Sequence, residues 1–574
     1  LSKLLIYLKP YRGLVAMVLV LVFLQALSEL YLPTIMADIV NIGVQHGDTP
    51  YILKMGGWML LVAAFGAICT IIGSLYSAKA AAGFGRDLRS ELFARVSGFS
   101  QQEFDKLGTA SLITRTTNDI TQVQQVLIMM MRMMIVAPMM AVGGVIMALM
   151  KDATLALVII GVMPVLALAI FLIARKGIPL FKAIQTKLDR LNLVQREGLT
   201  GIRVIRAFNR IDHEKRRFET ANRDLTDTAL KVNRIMALMM PTMMLIINFA
   251  SVAIIWFGGI RIEQGHMQVG DLMAFLQYAM MILFSLIMLS FIFVMLPRAA
   301  ASAERIREVL EHTGSISDPP HPAATGRGGN VEFRNVTFRY PGAEQPALEN
   351  ISFEAKPGEV TAIIGGTGSG KSTLIGLIPR FYDAESGSVL VDGIDVREMT
   401  QESLREKIGF VPQKAVLFSG TIADNIRYGK EDADDAEVRR AAETAQALDF
   451  ITEMEGGFDA RIAQGGSNVS GGQKQRLSIA RALVRKPEIY VFDDSFSALD
   501  YKTDAKLRQA LKTETGNATV IVVAQRVSTV IDADRIIVLE DGRIAGIGTH
   551  EQLLQDNAVY REIVASQLSE EESA

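Results

Sequence analysis

Six apolar stretches, each long enough to cross a bilayer, confine the first half of this chain to a bundle of membrane helices. A span takes about 20 apolar residues, and runs of that length lie near 14–36, 55–76, 127–150, 153–174, 236–260 and 272–296. In hydrocarbon every backbone N–H and C=O must be paired within the segment, so such runs fold as helices. The first run lacks a small-residue cleavage site and reads as a span that stays, not as a signal peptide. Charge sets the orientation. Three connections are short, with His46 and Asp48, a Lys151–Asp152 turn, and Arg261, Glu263 and His266. The other two are long and basic. One holds Lys79, Arg86, Arg89 and Arg95, and the other holds Arg175, Lys176, Lys187, Arg190, Arg203, Arg206 and Arg216. Basic loops stay inside, so both termini are expected in the cytoplasm of a multi-pass protein of the cell's inner membrane. The opening residues, with Lys3, Lys9 and Arg12 among Leu4, Leu5, Ile6 and Tyr7, read as an interfacial helix.

The two long connections are rich in Leu, Arg, Glu, Lys and Ala, and structureless loops of such length are rare in compact proteins. They are expected as helices continuing about 35–40 Å below the membrane. Segments 111–120 and 201–209, near their turning points, are candidates for contact with a second domain. Within the spans, Glu29, Arg132, Asn248 and Gln277 are polar, and polar groups at that depth usually face a bundle interior or water. Glu29 is the better cavity candidate; Arg132 lies near a span end and can snorkel to the interface. The methionine clusters at 129–134, 139–140 and 239–244 are read mainly as packing residues, of a kind that also suits promiscuous apolar surfaces.

Composition changes near residue 300. Of 27 methionines, 25 precede it. The expected division is a membrane domain over 1–310, a Gly/Pro/Ser/Thr linker over 311–330, an α/β domain over 331–568 and an acidic tail over 569–574. A net charge of −2 argues against a general nucleic-acid binder. The single cysteine, Cys69, excludes an intrachain disulfide.

The second half carries the chemistry. Gly365-Gly366-Thr367-Gly368-Ser369-Gly370-Lys371-Ser372 fits G-x-x-x-x-G-K-[ST], follows the β run 360–364 and precedes a helical pattern after Thr373. That is the strand–loop–helix context of a phosphate-binding loop. Its glycines let backbone N–H groups turn towards phosphate oxygens at a helix N-terminus. Lys371 sets a cation on the β- and γ-phosphates, and Ser372 can ligate Mg²⁺. The β run 488–492 ends at Asp493 and Asp494. The first carboxylate suits Mg²⁺, and the next would orient or deprotonate the attacking water. Between them, Ser470-Gly471-Gly472-Gln473 ahead of a helix reads as a second anion-binding loop.

With these motifs in order, the chain resembles the ATP-binding-cassette family over nearly its whole length. Tyr340 in FRYPG matches the family's adenine-stacking aromatic, and Gln413 in FVPQ the glutamine linking Mg²⁺ or water to the membrane domain. VSGGQKQR matches the family signature, and Ser497 to Asp500 the loop crossing between two cassettes. The resemblance implies ATP and Mg²⁺ as cofactors. It also implies a dimer in the lipid bilayer, because each ATP lies between one cassette's phosphate loop and the other's signature. Six spans ahead of one cassette look like half of an exporter: an all-α six-helix membrane domain followed by an α/β P-loop nucleotide-binding domain.

Two positions depart from the family pattern. Asp494 stands where the catalytic glutamate is usual, and Gln525 where the switch histidine is usual. Aspartate withdraws the carboxylate by roughly 1–1.5 Å, a shift able to cost about a hundredfold in rate. Glutamine cannot become an imidazolium. The combination resembles the degenerate-site subunit of heterodimeric bacterial multidrug exporters. It implies a different but related partner chain and export of hydrophobic or amphipathic small molecules. Two other readings stand beside it: a homodimeric lipid or peptide flippase, and an ATP-binding regulatory or channel-like membrane protein without efficient turnover.

Overall fold

The computed structural model describes residues 2–312, 314–324, 326 and 328–571. Positions 313, 325 and 327 of the expected linker, and 572–574 of the expected acidic tail, lie outside them. The chain divides into two compact units, Leu1–Ser97 with Ala110–His312, and Gly98–Thr109 with Thr313–Ala574.

In the first unit each apolar run lies on a helix, and among the described residues six helices are long and apolar enough to span a membrane. They are Arg12–Asp38, Thr49–Ser97, Ile120–Lys151, Ala153–Thr200, Ile211–Glu263 and Val269–Glu311. The second, fourth and fifth have 49, 48 and 53 residues, so at 1.5 Å per residue they run about 70–80 Å, far more than the roughly 30 Å of hydrocarbon. The excess lies on the basic side, as the sequence predicts. At the other end the short loops are tied by charge. Lys151 pairs with Asp271 at 2.8 Å, and Arg261 with Asp152 at 2.8 Å. The buried Asp152 also caps the fourth helix through Leu155 N at 2.8 Å. Asn41 Oδ1 accepts from Gly270 N at 2.7 Å. Deeper, the fully buried Tyr278 bonds Thr34 and the Leu30 carbonyl, joining the first and sixth helices. Glu29 is half-buried and accepts from Gln25 one turn before it. Arg132 is half-buried, while Asn248 and Gln277 are exposed.

Segment 111–120 turns inward within the first unit. Its π-helical stretch Arg115–Asp119 buries both charges against the sixth helix. Asp119 accepts from Ser302 at 2.9 Å and Arg305 Nε at 2.8 Å, and Arg115 pairs with Glu308 at 2.7 Å. Buried charges need such partners, so these residues are consumed inside the bundle. The residues that join the second unit come earlier, on the short helix Gln101–Leu107. Its capping box, Ser100 with Glu103, was not singled out in the sequence. Segment 201–209 forms the short helix Ile202–Ala207, with Ile202, Val204 and Phe208 exposed.

Among its described residues the second unit has twelve strands: β1 Val331–Phe338, β2 Leu348–Ala355, β3 Val360–Gly365, β4 Ser386–Val391, β5 Ile394–Asp395, β6 Ile408–Val411, β7 Gly420–Thr421, β8 Arg461–Ile462, β9 Ile489–Asp493, β10 Thr519–Val523, β11 Arg535–Glu540 and β12 Arg543–Gly548. One sheet has the order β2-β1-β4-β5 and is antiparallel. The main sheet has the order β12-β11-β3-β10-β9-β6, and all its pairings except β11 with β12 are parallel. β9 and β10 are buried at every residue, as parallel strands covered on both faces must be. Parallel strands end together. The C-terminal ends of β3, β10, β9 and β6 therefore bring the phosphate loop, Gln525, Asp493–Asp494 and Gln413 to one edge, where ligands of open α/β sheets bind.

Gly365 shows how tightly that edge is packed. A Cβ there would stand 2.2 Å from the Leu539 carbonyl oxygen of the neighbouring strand. This glycine is required by strand packing more than by phosphate. Gly365→Ala is expected to destabilise the cassette by about 1–3 kcal/mol, read as a lower unfolding midpoint without nucleotide; an unchanged midpoint would show that the strands yield.

Candidate functional site

The phosphate loop runs from β3 into the helix Lys371–Gly376. Gly368 and Gly370 have φ of 86° and 95°, left-handed values that favour glycine. A Cβ on Gly370 would also lie 2.8 Å from the Ala347 carbonyl oxygen. By contrast, Gly366 and Gly368 face open space, and Thr367 between them is exposed while Ser369 is buried. Lys371 is buried, and its Nζ donates to the carbonyls of Gly365 and Gly366 at 2.8 and 2.7 Å. Burial pushes its ammonium below the ordinary lysine range, against the charges of Asp494 and Asp493. A desolvated cation beside an open, glycine-walled cradle fits an anionic phosphate chain.

Ser372 Oγ donates to Asp493 Oδ1 at 3.1 Å. Burial raises the Asp493 carboxyl, offset by the Ser372 hydroxyl and reinforced by the charge of Asp494. A hydroxyl and a buried carboxylate converging there suit a hard divalent cation. Mg²⁺ bound there would supply charge neutralisation for a nucleotide's phosphates.

Asp494 follows at φ 46°, a left-handed value that aspartate tolerates better than most residues. Its amide donates to the Val523 carbonyl at 3.0 Å. Its Oδ2 accepts two amide donors, Gln413 Nε2 at 3.2 Å and Gln525 Nε2 at 3.0 Å. Of the three residues singled out in the sequence for the chemistry, Gln413 and Gln525 are thus both hydrogen-bonded to the third, Asp494. A residue the sequence did not flag holds Gln525 in turn: Gln567 donates to the Gln525 carbonyl at 2.7 Å and accepts from Val527 N at 2.7 Å.

The signature lies elsewhere on the unit. Ser470 caps the helix Gly471–Val484 in a capping box with Gln473, whose side chain accepts from Ser470 N at 2.8 Å. Gly471 is exposed, with no atom within 4 Å of a Cβ placed on it. Gly472 is closer packed, a Cβ there lying 3.1 Å from the Ala498 carbonyl oxygen. Among the described residues no hydrogen bond joins this turn to the chain's own phosphate loop. Asp500 caps the helix Tyr501–Glu514 through Thr503 N at 3.0 Å, and the Thr503 hydroxyl and amide hold its carboxyl below the usual range. Tyr340 keeps one side open. Its hydroxyl is 2.9 Å from Thr373 Oγ1, and its ring meets Phe338 and Tyr382 edge-on at 5.0 and 5.5 Å.

Comparison with known proteins gives the same two-part architecture. The family described as ABC transporter transmembrane region matches residues 15–287, and that described as ABC transporter matches 348–497. An uncharacterized ABC transporter ATP-binding protein of Mycobacterium tuberculosis is 47% identical over 566 residues, covering 98% of this chain and 97% of the relative. An ATP-dependent lipid A-core flippase of Pseudomonas aeruginosa is 32% identical over 587 residues, covering 100% and 97%. The solved structure of a bacterial Atm1-family ABC exporter with ATP bound is similar at a TM-score of 0.81 and 27% identity, covering 97% of this chain and 98% of that one.

Proposed function

Because this chain belongs to the ABC transporter family, with the membrane and cassette halves of an exporter, we propose that it is the slow-site half of a heterodimer. The exporters of this family work as dimers in the bilayer and couple ATP hydrolysis to transport. In our reading this chain holds ATP at Lys371 and Ser372 but turns it over slowly. Its intact Ser470–Gln473 turn completes the fast site on a related partner. The cargo is hydrophobic or amphipathic small molecules. The cassette and both termini lie on the cytoplasmic side of the cell membrane.

The observation that carries this reading is the double amide clamp on Asp494. A carboxylate that activates water needs reach and a partner able to stabilise charge on the γ-phosphate. Asp494 is a methylene short of the usual glutamate, and Oδ2 is engaged by two neutral amides that do not titrate. The residues that hold nucleotide, by contrast, depart from nothing the family uses. Loss confined to the chemistry, with binding kept, is what a retained-ATP site requires.

Assembly is the test. Purified alone, this chain is expected to hydrolyse ATP slowly. Co-expression with a related half carrying glutamate and histidine at the two positions is expected to restore turnover. Strong cargo-stimulated ATPase activity from a homodimer of this chain would refute the proposal and favour a homodimeric flippase.

A further inference from the structure

The last helix, Ala558–Glu571, lays one stripe of side chains on the main sheet. Tyr560 is fully buried, and Ile563 and Val564 pack into the same cluster as Ala362 and Ile364 of β3 and Ala524, Val527 and Val530 beyond β10. Positions 560, 563, 564 and 567 share one helix face, and the stripe ends in an amide, Gln567. That amide meets the turn after β10 with both of its ends. Nε2 donates to the Gln525 carbonyl at 2.7 Å, and Oε1 accepts from Val527 N at 2.7 Å. Val527 opens the short helix Val527–Val530, and the first amides of a helix have no partner inside it. Arg526, just before it, offers no side-chain cap. Gln567, 40 residues further along the chain, does what a local cap would do. A primary amide presents a donor and an acceptor side by side, and the two residues flanking Arg526 take one of each.

We propose that Gln567 is a positioning residue for this ATP site: it fixes the turn from which Gln525 reaches Asp494, and so keeps that amide on the carboxylate. The proposal rests on the reading of Gln525 and Asp494 as the impaired pair. The Gln525 side chain is exposed, and its bond to Asp494 Oδ2 is 3.0 Å long. Ordering an exposed glutamine costs rotamer entropy, so the bond is held only as firmly as the backbone that carries it. A lone pair of Oδ2 given to the Gln525 amide is not open to a water. By holding the amide there, the last helix holds the site slow. The effect is local to the turn. Val530 is fully buried, and Arg508 donates from NH1 to the Ser528 carbonyl at 2.9 Å. Loss of Gln567 therefore frees residues 525–527 while the helix after them stays in place.

Two measurements on the native full-length complex test this: hydrogen exchange at the Val527 amide, and single-turnover release of γ-phosphate at this chain's site. Gln567→Met keeps the length and the packing and deletes both hydrogen bonds. It is expected to speed exchange and phosphate release each by about fivefold, the scale of one neutral hydrogen bond. Its ATP Kd is expected to stay within about twofold of the wild type. Gln567→Glu keeps an acceptor for Val527 N but, ionised, has no proton for the Gln525 carbonyl. It is expected to leave Val527 protected and still to speed phosphate release. Faster exchange with unchanged or slower release in Gln567→Met makes the residue a helix cap and nothing more, and overturns the proposal. Unchanged exchange in Gln567→Met, or wild-type release in Gln567→Glu, overturns it as well. Gln525→Ala removes the amide directly and separates the layers. If it leaves release unchanged, the clamp reading fails and the proposal with it. If it speeds release while Gln567→Met does not, only the link through Gln567 fails.

Discussion

Replacing Gly471 with alanine is expected to slow steady-state ATP hydrolysis by the assembled transporter about a hundredfold or more, the scale set by losing one preorganised donor to a developing charge. The fold does not oppose the change, because no atom lies within 4 Å of the new methyl group, and the Ser470–Gln473 capping box does not involve the Gly471 side chain. The methyl would instead stand before the free N–H groups of a 14-residue helix, the surface that faces an anion. In the proposed pairing that anion is the γ-phosphate of the rapidly hydrolysed ATP on the partner. In the same proposed pairing Lys371→Ala touches the slow site. It is expected to weaken nucleotide binding there and to lower turnover only severalfold, since the partner's phosphate loop is intact. Steady-state ATPase assays of the two variants decide the matter. If Lys371→Ala abolishes turnover while Gly471→Ala leaves it near normal, the fast and slow sites are exchanged.

Much of this site was legible because its motifs are contiguous. A phosphate loop is one run of eight residues, and its glycines, lysine and serine declare their roles in order. The strand ending at Asp493 and the one leading to Gln525 read from apolar runs, and a parallel sheet carries their ends to one edge without long-range information. What escaped the sequence is pairwise. Gln567 braces Gln525 across 42 residues of chain, and Tyr382 meets Asp105 across 277. Neither glutamine nor tyrosine is unusual alone; only folding makes each a partner. The burial of charge within segment 111–120 was hidden for the same reason. Its polar residues look surface-bound until Arg305, Ser302 and Glu308, nearly two hundred residues later, supply the charges and hydrogen bonds that let them be buried.

Asp494→Glu combined with Gln525→His is expected to speed hydrolysis at this chain's own site by about a hundredfold, recovering what roughly 1 Å of carboxylate misplacement costs. Glutamate moves the carboxylate outward from the two amides that now share Oδ2. Histidine restores a titratable donor, and its backbone stays in place because Gln567 grips the carbonyl and not the side chain. Full recovery is not expected. At φ 46° glutamate is less at ease than aspartate, so part of the gain is spent on backbone strain. The imidazole leaves a mark the wild type lacks: an inflection in the rate near pH 6.5, the ordinary histidine value, where the glutamine amide has nothing to titrate. The measurement is single-turnover release of γ-phosphate at this site, with the partner's catalytic glutamate disabled. Transport need not improve with it, since ATP retained here would keep the cassettes in contact after the partner's ATP is gone. Retention of that kind follows from slow chemistry, not tight binding, so the double variant is expected to shorten nucleotide dwell time with little change in initial affinity. Should the variant release phosphate as slowly as the wild type and show no inflection, the clamp on Asp494 is not what slows this site, and the limit lies in the partner's signature across the sandwich.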